Sequence, residues 1–200
     1  MKNLKDFVLR ENDIERNGHI YCKVCGKRVD GELLDLGFTK FIPRIKCECE
    51  IKRDKENAER EIITRISSLK RDCFSSPNQH QYTFERFLNE KGQAYKVAYN
   101  YAKNFEQMKE DNVGLLFYGD VGSGKTYLAC SIANELIERK QVKVKIMNLS
   151  QVINKIQKSA FKLDSNEIID NLSNIPLLIL DDLGIERDTS YAREQVYNII

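Results

Sequence analysis

The length, composition and charge of the chain exclude several classes of protein. Its 200 residues, 42% of them hydrophobic and 31% charged, suffice for one buried core and a small second module, which excludes a wholly disordered chain. The first residues are charged and the longest apolar runs have only strand length, so we expect a cytoplasmic protein with no membrane partner. A net charge of +2 is too small to indicate nucleic-acid binding, which would need a local basic patch.

Two close pairs of cysteines mark the N-terminal part of the chain. Cys22 and Cys25 form a C-x2-C pair, and Cys47 and Cys49 form a C-x-C pair. Four thiolates are the number that a structural tetrahedral Zn²⁺ takes, and such a metal can fold a module that has few large aliphatic side chains. We therefore predict a structural zinc site with these four ligands. Unrelated thiols and redox chemistry are the alternatives.

The other cysteines and a nearby histidine receive structural interpretations. His19 precedes the first pair and is either a substitute ligand or, as we favour, a surface histidine. Cys73 and Cys130 lie in helical patterns and are predicted to be inert packing residues.

Two helices are predicted between the cysteine pairs and a later glycine-rich segment. The first, from residue 51 to about residue 72, is strongly charged and completes an N-terminal module assigned to residues 1–74. Residues 75–111 are assigned to a linker, in which "FSSPNQHQ" is predicted as a loop, and to a lead-in helix. The apolar stripes of the two helices are Ala58, Ile62, Ile66 and Leu69 in the first, and Val97, Tyr101, Phe105 and Met108 in the second.

The segment "GDVGSGKT" predicts a phosphate cradle. An apolar run, "LLFYG", precedes it and a helical pattern follows, so backbone N–H groups converge at the positive end of a helix. Lys125 can reach the terminal phosphates of a nucleotide and the Thr126 hydroxyl can ligate Mg²⁺. A glycine-rich turn that happens to contain lysine is the alternative. The predicted nucleotide-binding residues are Gly119, Asp120, Val121, Gly122, Ser123, Gly124, Lys125, Thr126 and Tyr127.

A second motif, "IPLLILDDLG", predicts the acidic half of the same site. A nearly continuous apolar run fits a central parallel strand that delivers Asp181 and Asp182 at its carboxyl end. Asp181 is assigned to Mg²⁺, and Asp182 to orienting or activating the attacking water. A turn that merely exposes two aspartates is the alternative. The segment "VKVKI" alternates and is predicted as an edge strand, with Lys143 and Lys145 facing solvent or, less favoured, nucleic acid.

The chain from about Tyr82 onward resembles the AAA+ ATPases of the DnaC/DnaI helicase-loader family. The resemblance rests on "TFERFLN", on "GLLFYGDVGSGKTYLACSIANELIER" and on "LLILDDLGIERDTSYAREQVYNII". It implies an α/β fold: an AAA+ P-loop NTPase core, a parallel sheet flanked by helices, over residues 112–200. The cysteine pairs and the charged helix resemble the N-terminal zinc module of loaders from phages and low-GC bacteria.

The resemblance also implies function and partners. It implies an ATPase that docks on a hexameric replicative helicase through its N-terminal module, places it on single-stranded DNA, and self-associates through the AAA+ module. ATP then lies between neighbouring subunits, adenine contacts fall in Tyr82–Phe87, and an isolated monomer hydrolyses ATP slowly. The family's sensor strand and arginine finger would follow Ile200, so we expect the sequence to be a piece of a longer protein. A transposition-helper ATPase and a non-hydrolysing nucleotide-sensing adaptor remain the alternatives.

Overall fold

The computed structural model describes residues 7–88, 92–148 and 171–182. It divides the chain into two compact units, Met1–Ile63 and Thr64–Ile200. The predicted divisions after residues 74 and 111 stay predictions.

The N-terminal unit contains two antiparallel hairpins. Strands β1 (Asp13–Arg16) and β2 (His19–Cys22) pair through a two-residue turn, and β3 (Leu34–Asp35) pairs with β4 (Lys40–Phe41). The first turn is Asn17–Gly18, and both residues have positive φ, 51° and 74°, as a tight turn compatible with strand twist requires. The small core of this unit consists of Phe7, Ile20, Cys22, Val29, Ile42 and Cys47.

Buried carboxylates hold this small core together. Asp30 accepts hydrogen bonds from the N–H of Ile20 at 2.9 Å, from Arg28 at 3.0 Å and from His19 at 2.9 Å. Burial by itself raises the pKa of Asp30, but these hydrogen bonds outweigh it and lower the pKa to about 2 from 3.8. The carboxylate therefore stabilises the folded unit fully above about pH 4, and this stabilisation is lost as the pH falls toward about 2.

Helix α1 (Glu48–Cys73) is longer than predicted. Acidic residues in its first turn and basic residues in its last turn complement the helix dipole. The predicted stripe of four apolar residues is only half buried: Ile66 and Leu69 pack against the core of the second unit, whereas Ala58 and Ile62 are exposed. The stripe was therefore wrong for its first half, because no described residues cover those positions.

The region predicted as a loop and a single lead-in helix contains four short elements. Two 3-10 helices span Pro77–Gln81 and Phe84–Arg86, and two α-helices follow, α2 (Gln93–Lys103) and α3 (Phe105–Glu110). The break falls at Asn104, whose side-chain amide donates to the carbonyl of Asn100 at 3.0 Å. Such a bond competes with helical pairing, so one predicted helix becomes two.

The apolar stripe predicted for the second helix was wrong at one position. Tyr101 and Phe105 are buried, and Met108 packs against the same core. Val97 is 42% exposed, and Ala98 takes the buried position beside it.

Helix α4 (Lys125–Lys140) carries more buried side chains than any other described element of the second unit. The thiols of Cys73 and Cys130 are fully buried in the core that α4 forms with α2, and burial raises the pKa of each to about 12. The prediction that these two cysteines are packing residues is confirmed.

A parallel pair of strands completes the second unit. Strand β5 (Val144–Asn148) pairs with β6 (Leu177–Asp181), from Val144 opposite Leu177 to Asn148 opposite Asp181. Within the described ranges β5 has β6 as its one neighbour, as an edge strand would. Lys143 is exposed as predicted, but Lys145 is partly buried because its ammonium group donates to the carbonyl of Asp72 at the end of α1.

The strand predicted before the phosphate loop is not formed. Leu115 and Phe117 pack against the core while Leu116 and Tyr118 are exposed, the alternation that a strand would have. No backbone segment in the described ranges forms a ladder with these residues, and a strand exists only with a neighbour for its backbone groups.

Among the described helices, none combines the length and the apolar character needed to cross a membrane.

Replacing the buried acceptor of the N-terminal unit gives a first prediction. Asp30→Asn removes the charge that Arg28 and His19 contact, and a hydrogen bond to a charged group contributes about 1.5–3 kcal/mol. We expect the amide hydrogens of β1 and β2 to exchange at least about tenfold faster by mass spectrometry. The matched control is Asp35→Asn, an exposed carboxylate in β3. Equal effects of the two variants would contradict this account of Asp30.

Candidate functional site

The glycine-rich loop leads directly into the N-terminus of α4. Gly119, Gly122 and Gly124 have φ of 136°, 81° and 88°, a region that residues with a Cβ seldom occupy. The ammonium group of Lys125 donates to the carbonyls of Gly119 and Asp120 at 2.9 and 2.8 Å. The lysine thus lies over the loop, at the positive end of the helix, where an anionic ligand would be bound.

The two predicted Mg²⁺ ligands come together. The hydroxyl of Thr126, in the first turn of α4, donates to the carboxylate of Asp181 at 3.1 and 3.2 Å from its two oxygens. Asp181 is the last residue of β6, so the strand delivers its carboxylate to the loop. Hydroxyl and carboxylate oxygens are the hard ligands that Mg²⁺ prefers, and the pair fits that ion.

Asp182 lies beside this pair in an unusual backbone conformation. Its φ is 58°, and its N–H donates to the Asp181 carboxylate at 3.1 Å. Its own carboxylate accepts a hydrogen bond from the side-chain amide of Asn148 at 2.8 Å. Sequence reasoning missed Asn148, because the β5–β6 register that places it opposite Asp181 is visible only in the structure.

Aromatic side chains from the segment before α2 lie against the start of α4. The ring of Tyr82 stacks on that of Tyr127, with centroids 4.6 Å apart, and Phe87 lies 5.4 Å from the same ring. A Cβ added at Gly124 would lie 3.0 Å from the Phe87 ring. The segment predicted for adenine contacts therefore lies next to the phosphate loop. The remaining loop residues, Asp120, Val121 and Ser123, are exposed.

The four predicted zinc ligands converge in the N-terminal unit. The sulfur atoms of Cys22, Cys25, Cys47 and Cys49 all lie within 4.8 Å of one another. Sγ–Sγ distances are 3.0 Å for Cys47–Cys49 and 3.4 Å for Cys22–Cys49. A tetrahedral zinc ion with Zn–S bonds of about 2.3 Å separates its sulfurs by about 3.8 Å, so the set fits a single ion.

Backbone and burial give the cysteines different proton affinities. N–H groups of Cys25 and Val24 donate to the sulfur of Cys22 and lower its pKa to about 7. Burial raises the pKa of Cys47, and hydrogen bonds with the neighbouring sulfurs of Cys47 and Cys22 raise that of Cys49. A bound cation would favour the thiolate form of Cys47 and Cys49, whose pKa is raised without one.

Two neighbours of the cysteine cluster are clearly placed. His19 is not in the cluster, because its Nδ1 atom pairs with Asp30. Glu50 accepts a hydrogen bond from the N–H of Cys47 at 3.2 Å and is itself paired with Arg44 at 2.9 Å and with Arg10 at 3.0 Å. This ion network fixes the backbone at the second cysteine pair.

A family comparison identifies the ATPase part. A model of the bacterial DnaA ATPase domain matches residues 78–200, more than half of the chain. The chain belongs to this family. The match includes the glycine-rich loop, Asp181 and Asp182, and the predicted resemblance to AAA+ helicase loaders is confirmed.

Curated relatives carry names from DNA replication. The replicative helicase loader DnaI of Bacillus subtilis (strain 168) is 33% identical over 87 residues, which is 44% of this chain and 28% of that protein. The loader DnaC of Escherichia coli (strain K12) is 26% identical over 107 residues, 52% of this chain and 43% of that protein. DnaC of Buchnera aphidicola subsp. Baizongia pistaciae (strain Bp) is 27% identical over 166 residues, with 78% and 62% covered. The chain thus spans less than two thirds of each relative's length.

The cysteine cluster gives a second prediction. We expect about one zinc per purified chain by mass-spectrometric metal analysis, and Cys47→Ser to lose most of it because three thiolates hold the ion less tightly. Cys130→Ala is the matched control, since it removes a thiol outside the cluster and should keep the metal. The zinc site would be a misreading if wild-type protein contained no zinc and Cys47→Ser left β1 and β2 folded.

Proposed function

We propose that this protein binds and hydrolyses ATP with Mg²⁺ and uses the nucleotide to help load a replicative helicase onto single-stranded DNA. The observation that carries the proposal is the contact between Thr126 and Asp181, which joins the phosphate loop to the end of β6. Family membership supports the ATPase part, and the names of the relatives support the loading part.

The roles proposed for the site follow from its chemistry. Backbone N–H groups at the start of α4 and the ammonium group of Lys125 bind the phosphates, for which Lys125 exchanges its present carbonyl partners. Thr126 and Asp181 would hold Mg²⁺, which neutralises phosphate charge when bound. Asp182 then orients the attacking water.

We propose that Asn148 controls how Asp182 orients the attacking water. While the amide donates to its carboxylate, one oxygen of Asp182 is occupied and less available to a water. Aspartate is also one bond shorter than the glutamate found at this place in many AAA+ proteins. Both features favour slow turnover, as in a switch rather than a motor.

We propose that the N-terminal unit is a zinc-binding module that docks on the helicase, and that the ATPase part self-associates. The clustered cysteines support a folded N-terminal module and count against a transposition helper, which usually lacks one. In an assembly of this kind an arginine from the next subunit completes the site and can raise turnover about 10³–10⁵-fold.

Two substitutions separate binding from hydrolysis. Lys125→Ala should weaken ATP binding about tenfold or more by calorimetry, because a charge-assisted contact is lost. Asp182→Asn should retain affinity but lower phosphate release about 100-fold with helicase and DNA present. Lys143→Ala, an exposed lysine outside the loop, is the control for charge. Unchanged affinity in Lys125→Ala would overturn the phosphate-cradle assignment, and binding without any turnover in wild-type protein would favour the adaptor alternative.

The loading role has its own test. Native mass spectra of the complete reading frame mixed with the host replicative helicase, with and without ATP and Mg²⁺, should show a complex whose stoichiometry responds to ATP. Lys125→Ala should form a complex that no longer responds. Failure to associate under every nucleotide condition would contradict the loader proposal and leave the ATP-binding proposal standing.

A further inference from the structure

A buried asparagine of α4 holds the aromatic segment in place. Asn134 is 1% exposed and belongs to the buried side of the helix, together with Ala133 and Ile137. Its amide nitrogen donates to the carbonyl oxygens of Gln79 and Tyr82, both at 2.9 Å. The two bonds join the end of the first 3-10 helix to α4.

The orientation of this amide is fixed by its partners. Both partners are carbonyl oxygens, which only accept, so the nitrogen must face them and use both of its hydrogens. The amide oxygen of Asn134 is buried and has no hydrogen-bond partner within the described ranges. Buried polar side chains rarely have an atom without a hydrogen-bond partner. We therefore infer that the two bonds donated by the Asn134 nitrogen outweigh the cost of its unpaired oxygen.

The segment that Asn134 holds is the one that faces the phosphate loop. Tyr82, whose carbonyl is bound, stacks on Tyr127, the residue after Thr126. Five residues later, Phe87 packs over Gly124 and beside the same tyrosine. All three rings are partly exposed, so they offer apolar surface next to the site of the phosphates.

We propose that Asn134 is a positioning residue for nucleobase recognition: it fixes Tyr82 and Phe87 so that these rings, with Tyr127, bind the base of a nucleotide whose phosphates lie in the loop. The inference rests on the proposed nucleotide binding. It assigns affinity for the base to the segment before α2 and affinity for the phosphates to the loop and Lys125. The two parts can therefore be lost separately.

Comparing ATP with inorganic tripolyphosphate tests this separation. In Asn134→Leu, a substitution of similar size without donors, the Kd for ATP should rise about tenfold, the effect of losing a base–aromatic contact. The Kd for tripolyphosphate should change less than about twofold, because the loop is untouched. Calorimetry with Mg²⁺ measures both, and thermal unfolding reports on the fold. Ser131→Ala is the matched control: it removes a buried polar group of α4 that bonds the carbonyl of Tyr127 within the same helix, and both affinities should stay unchanged.

A double-variant cycle tests whether Asn134 acts through Tyr82. Tyr82→Leu should give the same split between ATP and tripolyphosphate, and Asn134→Leu combined with Tyr82→Leu should weaken ATP binding no more than either alone. Asn134→Ser, which keeps one donor, should have an intermediate effect and serves if the leucine variant does not fold.

The outcomes separate this inference from the proposal beneath it. Wild-type protein that binds neither ATP nor tripolyphosphate contradicts the nucleotide site itself. A second outcome is that wild-type protein binds both ligands, but Asn134→Ser and Tyr82→Leu lose equal affinity for ATP and for tripolyphosphate, or lose no affinity for ATP. That outcome overturns the positioning role and leaves the phosphate site intact.

Discussion

The register between β5 and β6 is the constraint on which the candidate site depends. With Asn148 opposite Asp181, the acidic pair emerges where the strands end, and Asp181 reaches Thr126. A slip of one residue would turn every side chain of β6 to the other face and withdraw the carboxylate from the loop. Both faces of the pair are packed, since Val144 lies in the core around α4 and Met147 lies in a second cluster with Leu172.

The two candidate sites are built in different ways. The four clustered cysteines lie at the end of β2, just after it, and at the start of α1, and they are surrounded by an ion network in which Arg44 neutralises Asp13 and Glu50. Buried charges of this kind tolerate little displacement, since separating them leaves an unpaired charge in the core. The second unit instead relies on apolar packing around α4, and its buried polar residues in the described ranges are Ser131 and Asn134.

Sequence patterns predicted the parts of these sites whose geometry is local. Glycine spacing before a helix, an acidic pair after an apolar run and paired cysteines each require only neighbouring residues, and the structure brings Thr126 to Asp181 and gathers the four sulfurs. The break at Asn104 and the unpaired run before the loop were missed, because they depend on a competing side-chain bond and on an absent strand partner in the described ranges. Asparagines carry no periodic signal, so neither Asn148 nor Asn134 could be found without their distant partners.

In the function we propose, those two amides divide the control of one ligand. Asn148 contacts the carboxylate assigned to the water, and Asn134 holds the segment assigned to the base, while the phosphate cradle between them is fixed by its own glycines and by α4. An unmatched amide oxygen is a cost that an apolar side chain at position 134 would avoid. An asparagine at this position is reasonable if its two donated bonds set the geometry of a binding surface, because apolar packing fills volume without fixing which backbone atoms meet. The glycine-rich loop is thus specified by local geometry, whereas the acidic end and the base end of the site each depend on contacts that span more than fifty residues.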